Sequence, residues 1–434
     1  MKKNVKIACL ALLFSVAGLF AAENTLACLE GTVISSISYE GLEHTKNRVV
    51  DRELLNKVGE PFSAEKFEVE KRRLEGLDLF TEIDASCEGS ALKYRFKEIF
   101  RWIPAPASKT TERDGLMLGV ALANLNILGE DIRAEVQYRT STKHFLDNNE
   151  YAFYASSPYL FGTSLGWNFE FSHTDSYDDI RGYYDNSWLL DLDMDYKFMP
   201  HMYILGTVVG RNLKDAAFLP EFGAGLAFDY RDSKIDTRRG IYYEYMLTHV
   251  GVGDAQDSDC DVSDGESCKG MGGENYWELL TDARAYYTVS RFVTGATALV
   301  RYRPGDVKFY DYYSHGGVNS YRGRYGDSER LGVHEALLNL EERFVLLDRQ
   351  PASIAGVNFF YGVQLVAGFD GSLIWNSGRP GWDKYEGAVY GGAHLVVPAI
   401  DRIRFEVGYS PDRGEPKYFF GIIEKVSTAR WRGR

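Results

Sequence analysis

Beyond its first twenty residues this chain of 434 has nothing approaching 18 consecutive apolar residues, and it holds only five cysteines, twelve prolines and eight histidines. The missing apolar run excludes a membrane-spanning helix in the body of the chain. The few histidines show no ligand spacing, so no histidine-built metal centre is expected. Positive charge is also short. The formal net charge is −13, and removal of residues 1–22, which carry Lys2, Lys3 and Lys6 but no acid, leaves −16. Such a chain has no electrostatic case for binding nucleic acid. From Phe100 onward no convincing helical period appears.

What is abundant is aromatic residues, Tyr above all, and alternation. Hydrophobic residues make up 45% of the chain at a mean hydropathy of −0.28, and polar and apolar residues are interleaved rather than segregated. Segments such as Leu116–Leu125, Ile132–Arg139, Leu165–Ser172, Tyr203–Gly210, Val293–Tyr302 and Ile403–Tyr409 alternate and are separated by turn-rich stretches. In Leu189–Phe198, Leu190, Leu192, Met194 and Tyr196 fall on one face and Asp191, Asp193, Asp195 and Lys197 on the other. With Phe100–Ala107 counted as the first, roughly sixteen such strands are expected. An even number of tilted antiparallel strands closed on themselves satisfies every backbone group in lipid. The expected fold is mainly β: a 16-stranded antiparallel transmembrane β-barrel over residues 100–434, behind a small α+β domain over 23–99. Tight turns such as Met199-Pro200-His201 contrast with long polar loops at Gly253–Asn275 and Pro304–Arg330, an asymmetry of outer-membrane barrels.

The first 22 residues read as a secretory signal: a basic head, an apolar run from Ile7 to Phe20, and Ala21-Ala22 for cleavage. A membrane anchor, or lipoprotein processing at Cys28, are the alternatives. Cys9 leaves with the signal. Cys28 and Cys87 bracket the N-terminal domain, and Cys260 and Cys268 lie close together in an acidic loop. Two disulfides suit an oxidising compartment, with a metal site the rival reading of the second pair.

Within 23–99 the order is β-α-α-β-β: a strand at Thr32–Tyr39, a helix from Lys46 to Val58 capped by Thr45, a second helix capped by Ser63, then strands at Glu82–Ser86 and Ala91–Lys97. With Gly41–Leu54 (GLEHTKNRVVDREL), the GEPF step and RLEGLDLF, this segment resembles a polypeptide-transport-associated (POTRA) domain. That resemblance implies a periplasmic domain that binds extended peptides at a sheet edge.

Four further motifs carry a wider resemblance: GGVNSYRGRYGD (Gly316–Asp327), GFDGSLIWN (Gly368–Asn376), FDYRDSKIDTRRG (Phe228–Gly240) and LVVPAIDRIRFEVGYSPD (Leu395–Asp412). Together they resemble the BamA/TamA-like outer-membrane assembly and two-partner secretion superfamily. Arg322-Gly323 matches the family's Arg-Gly loop motif, Asp370 the strand carboxylate that receives the arginine, and Glu341 a second carboxylate. The resemblance implies that residues 306–330 fold inward and that Arg322 is a loop anchor rather than a catalytic group. Physically, an arginine presents a planar fork that suits carboxylates, and Gly323 is expected to permit a turn closed to bulkier residues. Tyr321 and Arg324 depart from the family pattern on either side of the motif. So does the extension Ser427–Arg434 beyond the last expected strand.

Phe100–Ala107 contains Pro104 and Pro106. Residues two apart send their N–H groups toward the same neighbour, so both prolines delete donors from one strand edge. If that edge meets the last strand, the barrel has a weak seam beside Gly421. The other reading is a proline-rich linker. Gly162–Gly166 fits G-x-S-x-G but lacks the strand-turn-helix setting of a nucleophile elbow. The acidic stretch Asp254–Glu266 lacks the glycine and final glutamate of an EF-hand loop, leaving weak divalent binding as its functional alternative. The expectation is a non-enzymatic outer-membrane protein without cofactor or metal, whose periplasmic domain and seam handle unfolded outer-membrane or secreted polypeptides, with accessory lipoproteins as further partners. A secretion pore for one exported protein, or a passive pore, are the alternatives.

Overall fold

The computed structural model describes residues 28–422 apart from 179–182, 214–216, 234–235, 254–272, 327–329, 355 and 399–400. The expected signal, the Cys260/Cys268 pair, the acidic stretch 254–266 and the extension 427–434 lie outside the described residues.

The N-terminal domain holds β1 (Ser36–Glu40), α1 (Asn47–Asp51), α2 (Ala64–Gly76), β2 (Phe80–Glu88) and β3 (Ala91–Glu98). Its sheet runs β1-β3-β2, with β1 parallel to the central strand. Ser63 caps α2, its hydroxyl accepting from Lys66 N at 3.4 Å. The first helix is much shorter than the apolar period predicts. Beyond Asp51 the N–H groups of Leu55 and Asn56 donate to the buried Glu70 carboxylate on α2, which draws the chain out of helix. Thr45 is not its cap either. Lys46 stands at that position, and Thr45 Oγ1 accepts from Asn126 Nδ2 at 2.8 Å. A disulfide joins Cys28 to Cys87.

Sixteen strands form the second sheet: β4 (Trp102–Thr111), β5 (Gly115–Ile127), β6 (Ile132–Ser141), β7 (Asn149–Ser157), β8 (Leu165–Asp178), β9 (Tyr183–Met199), β10 (Met202–Leu213), β11 (Ala217–Asp229), β12 (Gly240–Val250), β13 (Tyr276–Val289) and β14 (Phe292–Tyr302), then β17 (His334–Ile354), β18 (Val357–Trp375), β19 (Tyr385–Val397), β20 (Asp401–Tyr409) and β21 (Pro416–Ile422). A ribbon of β15 (Tyr313–Ser314) and β16 (Leu331–Gly332) lies in the segment between β14 and β17. The sixteen form one antiparallel meander that curls until β21 lies beside β4.

Alternation becomes an outer and an inner wall. On β12, Ile241, Tyr243, Tyr245 and Leu247 point out while Tyr242, Glu244, Met246 and Thr248 are buried inside. Outward aromatics recur at the two ends of the wall. Trp188 and Phe198 on β9, Trp277 and Tyr287 on β13, and Tyr302 and Phe292 on β14 are each ten residues apart. At a tilt near 40°, ten residues rise about 25 Å, the height of a lipid-facing band. Such a barrel buries its outward leucines and valines only in a bilayer.

The N-terminal domain is docked against one mouth of the barrel. Lys46 N donates to Gly129 O at 3.0 Å, Arg48 Nε to Glu130 Oε2 at 2.7 Å, and Arg349 Nη1 to Glu75 O at 2.9 Å. Its apolar core continues into Leu125, Phe360 and Val396 of the barrel. At this junction burial pushes the Asp131 carboxyl up to about 7, against the pull of Arg133, whose Nε lies 3.7 Å away. A raised native pKa means that stability is whole below about pH 4, the carboxyl's ordinary value, and is lost as pH rises through 7. We therefore expect Asp131→Asn to raise the thermal midpoint of the detergent-solubilised protein at pH 8 and leave it little changed at pH 4. Separately, the Cys28–Cys87 bond spans 59 residues. Cys28→Ser/Cys87→Ser should lower the N-terminal domain's unfolding free energy by about 4 kcal/mol on the chain-entropy account, read as an earlier urea midpoint.

Candidate functional site

The chain between β14 and β17 folds back into the lumen instead of standing on the rim, and the geometry follows from where its charged residues find partners. Descending, the loop first meets the β10–β13 wall. Arg211 Nη1 donates to Asp311 Oδ1 at 2.7 Å, and Arg303 Nη1 to the Asp311 carbonyl at 2.6 Å. Four residues later His315 Nε2 lies 2.6 Å from Glu335 Oε2. Here the loop brings an acid to Arg211 of β10, beside Arg303 at the loop's own start.

At the tip the polarity reverses. Arg322 Nη1 donates to both oxygens of Asp370, at 2.8 and 2.9 Å, and the Arg322 N–H adds a bond to Oδ2 at 3.0 Å. Arg322 Nε donates to Glu406 Oε2 at 2.6 Å. The guanidinium lies 3.6 Å from the Tyr390 ring centroid, a cation–π contact. The acids are held in turn: Asn339 Nδ2 donates to Asp370 Oδ1 at 2.7 Å, and His394 Nε2 is 2.6 Å from Glu406 Oε1. Register on β18 and alternation on β20 place Asp370 and Glu406 inward, on the wall the tip faces.

The structure thus brings Arg322 and Asp370 together. Glu341 stands further off, its Oε2 at 3.9 Å from Arg322 Nη2, and is tied to Tyr390 OH at 3.0 Å. The closer second acid is Glu406, which the sequence reading missed although alternation puts it on the inward face of a motif already singled out. Gly323 matters for a different reason than expected. It does not take a left-handed backbone. A Cβ there would come within 2.5 Å of the Tyr321 ring, which is fully buried with its hydroxyl 2.9 Å from Ser410 Oγ. Arg324, off the family pattern, makes a two-pronged contact with Glu386 at 3.0 and 2.7 Å.

The tip also reaches the place where the sheet ends meet. Leu125 N donates to Arg101 O at 3.0 Å, and the β4–β5 register is unbroken. Odd-numbered residues of β4 therefore bond to β5, and even-numbered ones face β21. Pro104 and Pro106 are even, so the edge facing β21 lacks two donors. No ladder joins β4 to β21 among the described residues; Ser108 Oγ reaches Phe420 O at 3.5 Å. Inside, Glu112 N donates to Gly326 O at 2.6 Å, Tyr418 N to Tyr325 OH at 3.3 Å, and a Cβ on Gly421 would meet Val318 at 3.2 Å. The loop tip therefore touches both lips of the junction.

No family model matches the chain, and no curated protein matches it by sequence. Solved structures do match by shape. CdiB from Escherichia coli is 14% identical, with 93% of this chain and 91% of that one covered at a TM-score of 0.50. CdiB from Acinetobacter baumannii is 12% identical, with 90% and 72% covered at 0.51. BamA from Haemophilus ducreyi lacking POTRA domains 1-3 is 14% identical, with 89% and 82% covered at 0.48. At such identities the likeness speaks for the fold. The chain is a nearly closed sixteen-stranded barrel, and its fold is like that of the two CdiB structures.

Truncating a member of a desolvated ion pair strands its partner and costs about 3–5 kcal/mol. Arg322→Ala is expected to leave the barrel heat-modifiable on gels while exposing the loop to trypsin. Asp370→Asn should expose it more than Glu341→Gln, in keeping with their distances from the guanidinium.

Proposed function

We propose that this protein inserts polypeptides into the outer membrane, or passes them across it, without catalysis, nucleotide or metal. The N-terminal domain is read as a periplasmic POTRA domain that captures unfolded outer-membrane or secreted polypeptides at a sheet edge. The observation that supports the insertion reading most is the junction of β4 and β21, where Pro104 and Pro106 withhold donors and no ladder forms among the described residues. An unpaired backbone edge at the bilayer is costly to leave alone and open to a client strand. The loop tip, resting on both lips, acts in this reading as an inner latch on that edge. Arg322, Asp370, Glu406 and Glu341 are mechanical parts, holding the latch in place.

A panel of cysteine pairs joining residues 104–108 to 418–421 provides the test. Oxidation of at least one register should arrest client insertion in proteoliposomes, and reductant should restore it, with the wild type treated alongside. Full activity with the pair crosslinked would refute lateral insertion. Steady conductance of the purified protein in planar bilayers would favour a secretion pore instead, because the loop and the docked domain stand in the way of a passive one.

A further inference from the structure

The extracellular-side loop is not alone in the lumen. The connection between β11 and β12 belongs to the motif Phe228–Gly240, which the seam and the anchor leave unused. Its described residues are stiffened locally. Asp232 Oδ1 accepts from Arg238 N at 3.0 Å and Arg239 N at 3.2 Å, and Arg231 grips Asp229 at 2.8 Å. Asp236 takes a left-handed backbone, φ 49°, which Asp tolerates better than most residues.

Asp236 is buried and points its carboxylate at the far wall. Its Oδ1 lies 3.1 Å from Arg343 Nη1, 3.3 Å from Arg402 Nη2 and 2.9 Å from Gln364 Nε2, on β17, β20 and β18. Arg343 also donates to the Thr237 carbonyl. This is the tip arrangement with the signs exchanged: an acid from the turn held by wall arginines. The two sets share Glu341. Its Oε1 is 3.4 Å from Arg343 Nε and 3.9 Å from Arg402 Nη1, while its Oε2 faces Arg322. The other end of the turn is fastened to the N-terminal domain, where Arg72 Nη2 donates to Asp232 Oδ2 at 3.3 Å and Gly76 packs on Ser233.

We propose that this inward turn is a second luminal plug that couples the position of the N-terminal domain to the anchoring of the Arg322 loop. When the domain leaves the mouth, the turn is drawn with it and Asp236 leaves Arg343 and Arg402. Those arginines then lean on Glu341, which weakens its share in holding Arg322. The coupling stands on the charge chain alone and does not require that the protein be an insertase.

Two measurements on the full-length protein in liposomes test it. The first is the rate of trypsin cleavage after Arg324. Asp236→Asn should raise it severalfold, up to the rate in Glu341→Gln, the residue through which it acts. Asp348→Asn, which touches Arg238 but not Arg343, should leave it unchanged. A rate unaltered by Asp236→Asn while Arg322→Ala raises it overturns the proposal. The second uses reciprocity, since coupled sites influence each other equally. A Cβ on Gly76 would lie 3.9 Å from Ser233 Cβ, within disulfide reach. Gly76→Cys/Ser233→Cys should crosslink under mild oxidation, and adding Arg322→Ala should slow crosslinking several-fold. Equal rates in both backgrounds overturn it, even where Asp236→Asn does not fold.

Discussion

A charge taken out of water has to be met by an opposite charge or by several hydrogen bonds, and the interior of this barrel is organised by that requirement. Arg322 is 4% exposed, with Asp370 and Glu406 on two of its edges and an aromatic face against its plane. The acids belong to β18 and β20, so the guanidinium fixes where the loop tip lies along the wall. Asn339 and His394 then hold these acids in position, and Tyr390 holds Glu341. Remove the central charge and each of these groups is left with the wrong partner. The same requirement, with signs reversed, governs Asp311 near the top of the lumen and Asp236 near the bottom.

The outer wall answers to a simpler constraint. Lipid supplies no hydrogen bonds, so the backbone must satisfy itself by lateral pairing, and outward side chains must be apolar. Among the described residues, fifteen of the sixteen junctions around the wall are paired. The remaining one joins the strand with two outward-facing prolines to a seven-residue strand. The groups that would be unsatisfied there are partly served from within, by the Gly326 carbonyl and the Tyr325 hydroxyl, while Val318 packs behind Gly421. Lumen and wall are therefore not independent: the segment that fills the one also finishes the other.

The barrel was legible because alternation with period two is a local signal, repeated in every strand. Ser63 was legible for the same reason, since a cap and its helix are neighbours in sequence. Arg322 with Asp370 came through only because motif resemblance joined residues 48 positions apart. Glu406, 84 positions from Arg322, lay on a face that alternation had identified but that no local rule tied to the loop. Asp311 and Asp236 were missed likewise, because which acid meets which arginine is set by strand register and by how far each segment dips into the lumen. The overlong first helix shows the opposite error. Its apolar period was real, but Glu70, fifteen residues away, claimed the backbone N–H groups that would have continued it.

The loop tip lies on the inner surface of both the first and the last barrel strand. The loop enters from its own rim, between β14 and β17, yet ends against the two strands that complete the ring. Glu112 N meets Gly326 O on one side, and on the other Tyr418 N meets Tyr325 OH, more than ninety positions away in the chain. Any displacement of the tip is therefore felt where the ring is least tightly stitched.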